Sequence, residues 1–153
     1  MIQNEPHYFH KKLINIFPLY SAYPWLLPVS LRQLNKLVSR LCSQLEKYGH
    51  VPGFIDLYLV NDKYIASANK EYLGCPGPTN ILSFPGDSTV PGILLLSLDT
   101  FFRELKLFGQ KQNDHLLFLL CHGLLHLVGF DHGMEMDAMQ NQCIAFIRKD
   151  MAQ

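Results

Sequence analysis

The segment Asn113-Asp-His-Leu-Leu-Phe-Leu-Leu-Cys-His122-Gly-Leu-Leu-His126-Leu-Val-Gly129-Phe-Asp-His132 decides how the rest of the chain is read. From Leu116 to Val128 it is apolar apart from Cys121, Gly123 and two histidines, a run too long for an ordinary strand and suited to a buried helix. Asn113 or Asp114 is the expected N-cap, and Gly129 is where the helix stops. The apolar stretch Leu116 to Phe130 is shorter than the roughly 18 residues of a membrane span, so a core helix is expected. On a helix, positions i and i+4 project from one side, which aims His122 and His126 at a common point. Gly129 adopts a left-handed backbone at little cost, and the resulting turn can bring His132 back to the same place.

Three imidazoles at this HxxxHxxGxxH spacing suit one metal ion and leave a fourth position for water, as in catalytic zinc sites. Zinc lowers the pKa of such a water toward neutrality. A lone histidine on an apolar helix is ordinarily a hydrogen-bonded core residue. Three within eleven residues are costly to bury unless something pairs with them, so His122, His126 and His132 are read as ligands of one ion per chain. Nickel, copper and iron also accept this donor set. Cys121 projects about 100° away from His122 and is not expected as a fourth ligand. His115 lies about 10 Å along the axis from His122, too far to share the ion, and is read as structural or supporting. Asp131 is a candidate to orient one imidazole from behind, although its place in the loop also suits simple turn formation. Metzincin metalloproteases share the spacing but carry a glutamate directly after the first histidine as general base. Here that position is Gly123, which makes peptide hydrolysis a minor alternative.

Working outward, Ser30 is a plausible N-cap for an amphipathic helix in which Leu31, Leu34, Leu37, Val38, Leu41, Leu45 and Tyr48 recur at helical spacing before Gly49. Its other face carries Arg32, Lys36, Arg40 and Lys47 within about 80°, a solvated face by default and an RNA-backbone track as the sharper reading. Phe54 to Val60 alternates as a strand, and Asn61 or Asp62 can cap a helix from Lys63 to Tyr72. Ile81 to Phe84 and Gly92 to Leu98 are further strands. Ser97 or Asp99 can cap a helix from Thr100 to Phe108, and Glu135 to Met151 forms a last helix with Met139, Cys143, Ile144, Phe146 and Ile147 facing the core. Among the proline-rich and aromatic first 29 residues only Leu13 to Phe17 is a candidate strand. Strands and helices mix without a regular βαβ rhythm, so the expected class is α+β with one small sheet.

The 153 residues suit one domain spanning 1–153. Hydrophobic residues make up 48% and charged residues 17%, which excludes a disordered chain. Thirteen basic residues balance thirteen acidic ones, so no global basic footprint points to nucleic acid. The start, Met1-Ile-Gln-Asn-Glu-Pro-His, lacks the pattern of a secretion signal, and a cytoplasmic location is expected. Four scattered cysteines without a CxxC pair are expected as reduced thiols.

The run His122-Gly-Leu-Leu-His-Leu-Val-Gly-Phe-Asp-His132 resembles HGxLHLxGYDH, the signature of the YbeY family of bacterial ribosomal-RNA maturation ribonucleases, with Phe130 in place of the tyrosine. Pro78-Thr-Asn-Ile-Leu-Ser-Phe-Pro85 is similar to the family's PTDVLSFP, Asn69-Lys-Glu-Tyr72 precedes it at the family's distance, and Ser97-Leu-Asp99 matches its SxD. The resemblance spans Leu57 to Asp150 in ordered blocks. It implies a mixed sheet of about four strands packed with about five helices, and a three-histidine zinc site. It also implies metal-dependent, single-strand-specific endoribonuclease action in maturation of small-subunit (16S) ribosomal RNA and ribosome quality control. The implied partners are single-stranded RNA, ribosomal RNA and the small ribosomal subunit, with no membrane.

Two positions depart from the family pattern. Leu73 stands where an arginine usually follows NxxY, and Gly92-Ile93-Leu94 stands where the family has GDI. Lys70, one helical turn before Leu73, is a candidate substitute cation. If the missing guanidinium weakens cleavage, the alternative is a ribosome-biogenesis RNA-binding factor that keeps the fold and the metal.

Overall fold

The computed structural model describes residues 14–19 and 29–153. Strand β1 (Ile14–Pro18) is followed by helix α1 (Leu31–Lys47), strand β2 (Ile55–Val60), helix α2 (Asp62–Leu73), strands β3 (Ile81–Phe84) and β4 (Gly92–Ser97), and helices α3 (Leu98–Phe108), α4 (Gln112–Leu127) and α5 (Met134–Met151). The strands form one mixed sheet in the order β1-β2-β4-β3. β1 and β4 run parallel to β2, and β3 runs antiparallel to β4 with Ser83 opposite Leu94. This is the α+β class with four strands and five helices among the described residues.

The alternation within β2 and β4 decides what each face of the sheet meets. Ile55, Leu57 and Leu59, with Leu94 and Leu96, point into the main core built by α1, α4 and α5. Val60, Leu82 and Leu95 point the other way and are covered by Ile65 and Ala68 of α2. Beyond its polar first turn α4 is largely apolar because most of it is enclosed, with Leu116, Leu119, Leu120, Leu124 and Leu125 buried and Phe118 left exposed.

Local signals are legible at most helix starts. Ser30 and Gln33 form a reciprocal capping box at α1, Asn61 caps α2 and Ser97 caps α3. At α4 the expectation fails: the helix starts at Gln112 after Lys111 with no side-chain cap, and Asp114 instead faces Arg148 of α5 at 3.3 Å. Packing against α5 and the core replaces the cap. Phe146 is also corrected, being 41% exposed with the Lys47 ammonium 4.6 Å above its ring, while Cys143, Ile144 and Ile147 are buried as expected. Met139 is half-buried against the core. The expected strand begins at Ile14 within the described residues, and Leu13 lies outside them. Pro18 ends β1 on the sheet's edge, where a missing N–H costs no ladder bond. Cys42, Cys75, Cys121 and Cys143 form no disulfide. Among the described residues no helix is long and apolar enough to cross a membrane.

The starts of α2 and α3 are clamped to each other through Ser97-Leu-Asp99. Asp62 Oδ1 accepts from the Ser97 and Thr100 hydroxyls at 2.8 and 2.6 Å, and its Oδ2 accepts from Arg103 at 2.8 Å. In return the Asp99 carboxylate accepts the Asp62 N–H at 3.0 Å. Burial alone would raise the Asp62 carboxyl, but the bonds from Thr100, Arg103 and Ser97 outweigh it and hold the group below its ordinary value. A depressed carboxylate contributes its stability above about pH 4 and loses it as pH falls through the native value. Asp62→Ala is therefore expected to cost about 1.5 kcal/mol in urea unfolding at pH 7, and the difference from the parent narrows below pH 4.

Candidate metal centre

α4 brings His122 and His126 to its C-terminal end, one turn apart on the same side. The helix stops at Val128, and Gly129 takes the left-handed conformation, φ +96°. Its N–H bonds to the His126 carbonyl and the Phe130 N–H bonds to the Leu125 carbonyl, closing the turn. The chain then doubles back and sets His132 against the other two rings. The three Nε2 atoms lie 3.1, 3.2 and 3.3 Å apart.

Those separations fit a metal. Zinc–nitrogen bonds of about 2.0–2.1 Å in a tetrahedral site put the nitrogens about 3.3 Å from one another. The His126 Nδ1–H donates to the Phe130 carbonyl at 2.8 Å, which leaves Nε2 as the lone-pair nitrogen facing its neighbours. Burial, helped by the neighbouring imidazole of His126, holds His122 below the ordinary imidazole value, so its lone pair is free at neutral pH. Gln140, buried on α5, donates its amide to the Phe118 carbonyl at 3.2 Å, and its side chain counters part of the burial effect on His122. Sequence reasoning missed Gln140, because its signal is a polar residue on a core-facing stripe one helix away.

The histidines open into a cleft of ≈ 710 Å³, walled by Asn69 and Leu73 of α2, by Thr79 and Asn80, and by Ser83 of β3. Asp131 also lines it and is exposed, while the atom that orients His126 is the adjacent Phe130 carbonyl. Leu73 is 56% exposed at the cleft wall, so the departure from the family arginine falls on the site itself. Lys70 is exposed on α2 and is not among the residues lining the cleft. Arg32, Lys36 and Arg40 lie on α1. Lys36 and Arg40 line a groove beside Asn113, Leu116 and Leu117, at the end of α4 remote from the histidines. Two members of that basic face are engaged by α5: Arg40 pairs with Asp150 at 3.4 Å, and Lys47 covers Phe146.

His115 is structural. It is buried, stacked on Phe101, with Nε2 2.7 Å from the Glu104 carboxylate. Glu104 in turn accepts from the Asn80 amide at 3.1 Å, tying the cleft wall to the core. Cys121 turns away to Cys143 of α5, and that hydrogen bond together with burial pushes its thiol up, so it stays protonated. Gly123 is where α4 meets the sheet. A Cβ there would lie 2.7 Å from Ile81 Cδ1 and 3.0 Å from Leu94 Cδ2, and the Ser83 hydroxyl donates to the Gly123 carbonyl at 3.0 Å. A glutamate at this position would press on the sheet, in keeping with the glycine found there, and peptide hydrolysis stays a minor alternative for want of that base.

Fold and site together define a small α+β protein with three imidazoles converging on one point at the mouth of an open cleft. The family model described as endoribonuclease YbeY matches residues 25–146. Relatives of that name include one from Nitratidesulfovibrio vulgaris, 38% identical over 76% of this chain and 83% of its own length. Another, from Oleidesulfovibrio alaskensis, is 40% identical over 65% of this chain and 73% of its own. The solution structure of a Thermotoga maritima protein shares the fold at a TM-score of 0.58 and 22% identity, covering 92% of each chain. This chain belongs to the endoribonuclease YbeY family.

The close approach at Gly123 is testable through its neighbour. Gly123→Ala is expected to destabilise by about 1 kcal/mol, overpacking outweighing the gain in helix propensity. Adding Ile81→Val, which removes the clashing Cδ1, should recover much of the loss, giving a clearly non-additive double-mutant cycle in urea unfolding.

Proposed function

We propose that this endoribonuclease cleaves single-stranded RNA with one divalent ion, zinc by its donor set, held by His122, His126 and His132. Its proposed setting is the cytoplasm, in maturation of small-subunit ribosomal RNA, with the small ribosomal subunit as partner. The observation that carries the reading is the convergence of three Nε2 atoms at the mouth of an open cleft. When bound, the ion supplies Lewis acidity for charge developing on phosphoryl oxygens and lowers the pKa of a coordinated water. The protein's part is to hold the ligands. α4 sets the His122 and His126 rings one turn apart, the Phe130 carbonyl fixes the His126 tautomer, and Phe118, whose carbonyl Gln140 bonds, stacks on the His122 ring. Ser83 and Asn80 keep the cleft wall in place through bonds to Gly123 and Glu104, so the opening stays shaped for an RNA strand.

Among the described residues that line the cleft there is no lysine or arginine, so the phosphate charge would be met by the ion alone. Leu73 at the wall favours a second reading, an RNA-binding factor whose cleavage is weakened for want of the family guanidinium.

Zinc stoichiometry measured beside cleavage of a labelled single-stranded ribosomal-RNA fragment tests both. The parent is expected to hold about one zinc, and His126→Ala to lose the metal and the cleavage together. Metal retained in full by His126→Ala would overturn the ligand assignment. Leu73→Arg discriminates between the two readings: a gain of tenfold or more in cleavage supports the weakened factor, and an unchanged rate supports the competent enzyme. Metal affinity should fall as pH drops through the imidazole range, because protons compete for the same lone pairs.

A further inference from the structure

The face of the sheet that α2 covers is left partly bare, and an open groove of ≈ 850 Å³ lies there. Its walls carry Tyr58, Tyr64, Tyr72 and Phe84, with Lys63 and Glu71 as the charged groups. Tyr64 and Tyr72 are 48% and 65% exposed. Tyr72 meets Phe84 edge to face at 5.4 Å, and Tyr58 stacks on Phe17 of β1 at 4.7 Å. Scattered single aromatics on a surface need no explanation, but five rings along one sheet face do.

The groove and the histidine cleft share both walls. On α2, Leu73 lines the cleft and Tyr72 the groove; at β3, Ser83 and Pro85 line the cleft and Phe84 the groove. Alternation along the strand sends neighbouring side chains to opposite faces. β3 is the last strand of the sheet, so a polymer leaving the cleft over that edge enters the groove directly.

The cleft needs such help. It has no cation among its described lining residues, Lys36 and Arg40 of α1 lie at the other end of α4, and the chain's net charge is zero. A nuclease with this charge pattern must draw strand affinity from contacts other than phosphate pairing. Aromatic faces provide it, since every base can stack on a ring whatever the sequence. Lys63 and Glu71 cancel, leaving tyrosine hydroxyls and rings as the recognition chemistry.

We propose that the Tyr58–Tyr64–Tyr72–Phe84 groove is a base-stacking site for the single-stranded RNA that flanks the phosphate held at the histidine cleft. This rests on the endoribonuclease reading and adds to it where the strand lies and the expectation that its binding depends only weakly on salt.

The test uses the zinc-loaded full chain and uridine-rich oligonucleotides of increasing length. Affinity should rise with length and fall with salt only shallowly, with a log–log slope nearer zero than −2. Tyr64→Ala with Tyr72→Ala, both exposed positions, should weaken binding of the longer oligonucleotides by 20-fold or more, about 5- to 150-fold per lost stack, with metal stoichiometry as the parent's and thermal unfolding lowered only by the loss of the Tyr72–Phe84 ring contact. Tyr64→Phe with Tyr72→Phe should keep the affinity, because the ring and not the hydroxyl stacks. Photocrosslinks from 4-thiouridine should map to the groove. If the alanine pair binds RNA like the parent while the parent cleaves it, the groove assignment falls and the endoribonuclease reading stands. Normal RNA affinity but lost association with small ribosomal subunits would also overturn it, marking a protein-docking surface. A zinc-loaded parent that neither binds nor cleaves RNA would sink both.

Discussion

The approach of α4 to the sheet at Gly123 sets the position of everything chemical in this molecule. A Cβ on that helix would press on the ends of the Ile81 and Leu94 side chains and force them to shift, and the Ser83 hydroxyl reaches across to the Gly123 carbonyl. Gly123 directly follows His122 and lies three residues before His126, so the depth at which α4 seats on β3 and β4 fixes how far those rings stand above the sheet edge. A glycine in mid-helix ordinarily costs about 1 kcal/mol relative to alanine, and here close packing is what offsets it. The same geometry explains why a motif spaced like a protease's lacks the protease's base: the side of the helix that would carry it is pressed against β3.

A second set of constraints holds the walls in register with the helix. Asp62, Ser97 and Asp99 lock the first turns of α2 and α3 together, and Glu104 of α3 reaches both Asn80 at the cleft and His115 in the core. The Ser97 N–H, bonded to the Asn80 carbonyl at 2.9 Å, joins the two sets, so polar bonds run from the start of α2 to the cleft wall. Buried polar links of this kind specify one arrangement because each member left unpaired is costly.

The elements that could be read from sequence were those whose signals are local. Ser30, Asn61 and Ser97 cap helices as their side chains allow, and Gly49, Gly109 and Gly129 end helical segments with positive φ. The histidine cluster was legible because helical periodicity and one glycine suffice to place it. What escaped was set by tertiary contact. Asp114 faces Arg148 instead of capping α4, Phe146 lies outside under Lys47, and Gln140 bonds the Phe118 carbonyl of α4 from a helix that begins after the motif. Leu73 could be flagged as a departure from the family, but only the fold shows it on the cleft wall while Lys70 does not line that wall.

On the proposed reading a chain of zero net charge would meet a polyanion through a single ion and through uncharged contacts. The most direct test of that reading is X-ray absorption spectroscopy of the protein loaded with one equivalent of zinc, before and after single-stranded RNA is added. The prediction is three imidazole nitrogens at about 2.0–2.1 Å and one exchangeable oxygen, with that oxygen shell altered by RNA. A sulfur ligand, fewer than three imidazoles, or a spectrum that RNA leaves untouched would contradict it.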